Sequence, residues 1–126
     1  MKLSKEHTEG VVLIDAYDAS SVTVAGEAHA ASLLVSPDAG ARSWAVTGID
    51  ALTPQRLQDV VSARPAVVLI GTGRRQRFPP STVLRPLIEA RIGFEIMDTG
   101  SACRTYNLLA AEGRKVLAAL IVDEAP

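Results

Sequence analysis

PAVVLIGTG (65–73) is an unbroken apolar run that stops abruptly in glycine, threonine and glycine. Four consecutive aliphatic residues, Val67, Val68, Leu69 and Ile70, suit a strand covered on both faces, because alternation is needed only where one face meets water. The Gly71-Thr72-Gly73 turn then leaves bare backbone at the carboxyl end of that strand, the edge of an α/β sheet where ligands usually sit. Downstream, GFEIM (93–97) reads as a second strand, ending in Asp98-Thr99-Gly100-Ser101 and running into a helix, ACRTYNLLAAEG (102–113). A strand, helix, strand unit of this length crosses over right-handed with its strands parallel. Two parallel neighbours end at one rim, so the glycine-bearing loops are expected to line a shared crevice.

Between those strands, Ser81 to about Ala90 reads as a helix with Val83, Leu84, Leu87 and Ile88 inward. Pro86 conflicts with it, since an interior proline loses a ladder bond and costs ~3 kcal/mol. The following helix is expected from Ser101, its N-cap, to Glu112, with Ala102, Tyr106, Leu109 and Ala110 toward the sheet and Gly113 as its stop. Val116 to Val122 is a last, internal strand. Upstream, Thr53-Pro54 caps and opens a helix that carries Leu57, Val60 and Val61 on one face and ends before Pro65. The first half is β-rich. Val11 to Ile14 and Ser21 to Ala25 form a hairpin or two edge strands with Tyr17 and Asp18 in the connection, Ala30 to Ser36 is stopped by the turn Pro37-Asp38-Ala39-Gly40, and Trp44 to Val46 is one more short strand. Met1 to Gly10 reads as a polar lead-in and Asp123 to Pro126 as a tail. The expected fold is a single α/β domain of three layers with a central mixed, mostly parallel sheet, a β-rich N-terminal half and a βαβαβ C-terminal half. Pattern alone does not fix the pairing order of residues 11–50.

The 126 residues are the size of one domain, which buries roughly two thirds of its unfolded surface around a single core. Hydrophobic residues are 48% and aromatics only 4%, so that core is aliphatic. A net charge of −1 and a pI near 6.1 remove the bulk electrostatic drive on which nucleic-acid binding relies. The single cysteine, Cys103, excludes an internal disulfide and fits a reducing compartment. No apolar stretch approaches the ~20 residues that span a bilayer, and residues 1–10 carry no signal or transit pattern, so the expected location is cytoplasmic without membrane insertion.

Several constellations border the expected crevice. Gly71-Thr72-Gly73-Arg74-Arg75-Gln76 begins like a dinucleotide fingerprint, but Gln76 stands where the third glycine belongs and Phe78-Pro79-Pro80 delays the helix, so a structural turn is the better reading. Arg74, Arg75 and Arg77 form either an anion clamp or a solvated loop. At the next helix start, Arg104 with the first-turn amides favours negative charge, and Asn107 shares its face; the plain alternatives are a local ion pair and a bond to a neighbouring loop. Cys103 lies in the first turn, where a thiol pKa falls, yet His7 and His29 both belong to the β-rich half and no base accompanies it. Asp98 is either a general base at a strand end or a turn residue bonding nearby amides; Glu95 is the other acid close by. The histidines have no ligand set beside them, so neither a metal nor a cofactor is expected. The candidate ligand-binding set is Gly71, Thr72, Gly73, Arg74, Gln76, Asp98, Thr99, Arg104 and Asn107, with no catalytic residue named.

GTGRRQRFPP (71–80) and FEIMDTGSACRTYNLLAAEGRKV (94–116) resemble the Mth-type domain family of unknown function, which includes a mitochondrial assembly factor for NADH:ubiquinone oxidoreductase, respiratory complex I. The resemblance rests on Gly71, Thr72, Gly73, Gln76 and Pro79, then on Met97, Thr99, Cys103, Arg104, Thr105, Asn107, Glu112 and Arg114, as pocket and scaffold positions. It implies a compact three-layer domain and no established catalytic residue. Without an arginine-rich presequence, a bacterial-type relative working beside a membrane complex is expected. Two functions follow: a non-enzymatic binding or assembly module holding a protein partner, such as a membrane-complex subunit, or a small enzyme or sensor for an anionic metabolite held between the Gly71 to Arg77 and Thr99 to Asn107 loops. In the second, Arg74 or Arg104 clamps and Asp98 or Cys103 reacts.

Overall fold

In the computed structural model, which describes residues 10–123, the chain runs β1 (Ile14–Tyr17), β2 (Val22–Val24), β3 (Glu27–His29), β4 (Leu33–Ser36), β5 (Gly40–Ser43), a 3-10 turn (Ile49–Ala51), α1 (Pro54–Ser62), β6 (Val67–Gly71), α2 (Ser81–Glu89), β7 (Gly93–Met97), α3 (Thr99–Ala111) and β8 (Val116–Leu120). The lead-in, His7 and most of the tail lie outside the described residues. Five strands form the central sheet in the order β5-β4-β8-β6-β7. Strands β8, β6 and β7 are parallel, as crossover helices demand, while β4 runs antiparallel to both β8 and β5. A separate antiparallel sheet has the order β1-β2-β3.

The continuous apolar runs of β6 and β8 are explained by cover on both sides. Val68, Ile70, Leu117, Ala119 and Ile121 face α1 and α2 through Leu57, Val60, Leu84 and Leu87. On the other face, Leu69, Val116, Ala118 and Leu120 meet Ala102, Tyr106 and Ala110 of α3, with Ile14, Val22 and Val24 of the small sheet closing that layer. Each fully buried Leu or Ile contributes about 1.5–3 kcal/mol, so an aliphatic core of this extent stands without stacked rings.

The helices begin largely where their caps place them. Thr53 Oγ1 accepts from Arg56 N at 3.3 Å and Pro54 opens α1. Pro86 does not end α2: the helix runs through it with the proline buried. That burial rotates the inner face, which covers Pro86, Val83, Leu87 and Leu84 and leaves Ile88 beyond its margin, 53% exposed rather than inward.

Several strands differ from the sequence reading: β4 begins at Leu33 rather than Ala30, β8 ends at Leu120 rather than Val122, and the larger differences lie in the first half. The run Val11 to Leu13 packs without joining a ladder, and β1 starts only at Ile14 and includes Tyr17. The antiparallel β1–β2 pairing does form a hairpin, with its turn after Tyr17. Trp44 to Val46 is no strand. The turn at 37–40, with Gly40 at φ 75°, instead returns the chain as β5, and Trp44 plugs the α1 side of the core with its indole N–H donating to Arg56 O at 3.1 Å. β3 and β5, reading EAH and GARS, have no apolar alternation to announce them.

Candidate functional site at the strand-end rim

β6 and β7 stop level, Gly71 opposite Met97, and β8 stops beside them with Leu120 opposite Gly71. The loops that leave β6 and β7 are laced together: Thr72 N donates to Met97 O at 2.8 Å, Thr99 N to Gly73 O at 2.9 Å, and Gly73 N to Thr99 Oγ1 at 2.8 Å. The same Thr99 hydroxyl donates to Ile121 O at 2.6 Å, which ties in the chain after β8. Gly71 is demanded by the close backbone of Thr99 and Gly73 by its left-handed conformation. A Cβ on Gly71 would lie 2.9 Å from Thr99, and one on Gly73, whose φ is 100°, would lie 2.3 Å from the Asp123 carboxylate.

Beside this lacing an open hollow of about 350 Å³ is lined by Gly73, Arg74, Asp98, Thr99 and Arg104 from the sequence-derived set, joined by Tyr17, Asp18 and Asp123. Arg74 N donates to Asp123 Oδ2 at 3.0 Å and its Nε to Ala19 O at 3.4 Å. Arg104 donates to the Tyr17 hydroxyl and, at 3.1 Å, to Ser101 Oγ, with its guanidinium 5.7 Å from the Tyr17 ring centre. The β1–β2 turn is thereby fastened to the first turns of α3. Three carboxylates face two guanidinium groups here, a balance that does not favour an anion.

Four sequence-derived residues do not line this hollow, Gly71 among them, packed at the end of β6 against Thr99 and Leu120. Asn107 is one turn farther along α3, where its amide accepts from Ile14 N and donates to Ile14 O, both at 2.8 Å; it docks β1. Gln76 lies along the outer edge of β7, donating to Ile96 O at 2.9 Å. Thr72 is buried, its hydroxyl donating to Arg75 O and accepting from Arg77 N at 3.2 Å. Conversely, Tyr17 and Asp123, which the pattern assigns to a connection and a tail, line the hollow. A parallel β8 must end at this same rim, so the position of Asp123 was implicit in the pattern; that of Tyr17 depends on how the small sheet docks, which no local signal gives.

The candidate reacting groups are structurally engaged. Asp98, not Ser101, caps α3: its Oδ1 accepts from Ser101 N at 2.9 Å and its Oδ2 from Ser101 Oγ at 2.8 Å. Those bonds, the backbone one foremost, hold its carboxyl below the usual range. Cys103 is 1% exposed, and burial pushes its thiol up to about 12, overriding the opposing charge of Arg104. The helix-start effect expected from sequence is therefore outweighed.

A family described as "Protein of unknown function (DUF498/DUF598)" matches residues 14–121. The chain belongs to this family. It is 31% identical over 112 residues to the rat protein named NADH dehydrogenase [ubiquinone] 1 alpha subcomplex assembly factor 3, covering 87% of this chain and 60% of that one. It is 32% identical over 76 residues to a Francisella tularensis protein named 13 kDa major membrane protein, covering 60% of this chain and 62% of that one. The chain thus spans about three fifths of the length of these two curated relatives. Among solved structures it resembles that of a Bordetella pertussis protein described as a Mth938-like domain, at a TM-score of 0.82 and 30% identity over 98% of this chain and 93% of that one. The resemblance carried by 71–80 and 94–116 is that of a true family member. Among the described residues no helix is long and apolar enough to cross a membrane.

Proposed function

We propose that this DUF498 protein is a non-enzymatic binding module that holds a protein partner at its strand-end rim, in the manner of an assembly factor for a membrane-bound respiratory complex. The observation that carries the reading is the condition of the two candidate reacting groups. A nucleophile needs access and a base, whereas Cys103 is buried with a raised pKa; a general base needs a free and sufficiently basic carboxylate, whereas Asp98 has a lowered pKa and both its oxygens engaged by Ser101 in capping α3. What remains at the rim is a rigid, laced surface with outward arginine and tyrosine side chains, the equipment of recognition rather than of turnover. The name of the rat relative, an assembly factor, supports a protein partner. Work on the cytoplasmic side of such a complex is part of the proposal.

The test is capture of partners from native extract by the wild-type protein, Arg104→Ala and Cys103→Ala, with a parallel metabolite screen. A defined set of proteins retained by wild type and Cys103→Ala, and weakened by Arg104→Ala, is the expected result. Turnover of a metabolite that disappears with Cys103 would sink the module reading.

A further inference from the structure

Next to the 350 Å³ hollow lies a second one of opposite character. About 220 Å³ is lined by Thr72, Arg74, Arg75, Arg77 and Asp123, three arginines against a single carboxylate, and that carboxylate already accepts from Arg74 N. Arg77 pairs with Asp50 at 2.7 Å. Beside the hollow Phe78 is 72% exposed while the next residue, Pro79, is buried, so the loop is pinned at the proline and the ring is turned outward. A lone exposed aromatic is ordinary. In this chain, however, the aromatics are only one Trp, two Tyr and two Phe, and Phe78 and Tyr17 both stand at this end of the sheet with Arg74, Arg75, Arg77 and Arg104. Arginine and aromatic residues are the types concentrated at the energetic centres of protein interfaces. On the 72–78 loop alone, Arg74, Arg75 and Arg77 outnumber the carboxylates of Asp123 and Asp50, which leaves a local positive excess, in a chain whose net charge is −1, that selects an oppositely charged partner.

We propose that the 72–78 loop docks an acidic segment of a protein partner, its carboxylates entering the hollow of Arg74, Arg75 and Arg77 and an apolar side chain covering Phe78. This rests on the binding-module reading and gives the partner its chemistry. Guanidinium forks match carboxylates in pairs, which gives the contact direction as well as charge. A lipid surface is the weaker occupant, because lasting attachment to a membrane takes two strong signals and three charges with one ring do not supply them.

A random peptide library selected on the immobilised protein is the direct test, followed by titration of a selected peptide into isotope-labelled protein observed by NMR. The expected pool is rich in Asp and Glu with a bulky apolar residue, shifts amides of 72–78, and loses affinity by roughly tenfold with Arg75→Glu, with a smaller loss for Phe78→Ser and for added salt. Neither side chain makes a hydrogen bond within the described residues, and an unchanged amide spectrum elsewhere would show that both variants fold. A neutral or basic pool, an empty one, or binding indifferent to Arg75→Glu overturns the proposal. So does displacement of the peptide by millimolar inorganic phosphate, which marks a small-anion site, or co-sedimentation with equimolar phosphatidylglycerol–phosphatidylcholine vesicles abolished by Phe78→Ser, which marks a membrane surface. If native partners are still captured in any of these cases, the module reading survives while the acidic-segment proposal falls.

Discussion

Thr99 illustrates how a single hydroxyl can hold a rim together. Its oxygen receives Gly73 N and its proton goes to Ile121 O, so it joins the exits of β6 and β8 from the first residue of α3 while 8% exposed. Thr99→Val keeps the shape and removes both bonds, leaving a donor and an acceptor buried without partners; a loss of about 3 kcal/mol is expected in urea unfolding. Asp98, one residue earlier, acts through charge and is therefore sensitive to pH. Asp98→Ala, which removes the cap, should cost about 1 kcal/mol at neutral pH, and Asp98→Asn less, because the amide still accepts. The sign follows from the depressed folded pKa: the carboxylate stabilises above the unfolded value near about 4, and that contribution is lost as pH falls through the lower folded value. The gap between wild type and Asp98→Asn should accordingly narrow on acidification below about pH 4, measured by denaturant midpoints across pH. A gap that widens in acid would mean the carboxylate is not held by Ser101.

At the scale of elements, the small sheet depends on α3. Asn107 brackets both backbone groups of Ile14, Tyr106 donates to Val12 O at 2.7 Å, and Arg104 reaches Tyr17 at the far end of β1. Asn107→Ala removes the central clasp and leaves two partly buried backbone groups of Ile14 unpaired, for an expected cost of about 2–3 kcal/mol. The loss should be local. Hydrogen exchange should accelerate in residues 14–29 while β6 and β8 keep their protection, since those strands are covered by α1, α2 and the rest of α3. The same element shows what a sequence reading can reach. β6 and β8 were legible because strands covered on both faces are apolar throughout, and α1 because Thr53-Pro54 caps and opens it, whereas α3 was found with its cap misplaced, Asp98 rather than Ser101 taking that role. β3 and β5 were not legible, since pairing at the margin of a sheet imposes no apolar period on EAH or GARS. Likewise Asn107 looked like a ligand residue because its spacing from Arg104 places it on the right helix, whereas its task is set by a backbone segment 93 positions earlier in the chain.

For the whole molecule, the central question is whether its two apolar layers are one cooperative unit. They share a sheet, and β8, flanked by β4 and β6, sends Leu120 into the α3 side and Leu117 into the α1 and α2 side. Both side chains are essentially buried, so Leu120→Ala and Leu117→Ala should each cost about 3 kcal/mol by lost burial and residual cavity. The chain supplies a reporter for one layer only: its single tryptophan, Trp44, packs with Leu117 and not with Leu120. If the layers unfold together, Leu120→Ala shifts the Trp44 fluorescence midpoint as far as the far-ultraviolet circular dichroism midpoint, with the denaturant slope unchanged. Independent layers would instead leave the fluorescence transition of Leu120→Ala near that of wild type while circular dichroism moved alone. Backbone bonding favours the first outcome, because the β8 ladders to β4 and β6 cannot be given up on one face and kept on the other. The rim inherits that cooperativity: its lacing hangs on the ends of β6 and β8, so a core substitution on either side should lower partner binding only through the folded fraction, and restoring stability with a bound partner should raise both midpoints together.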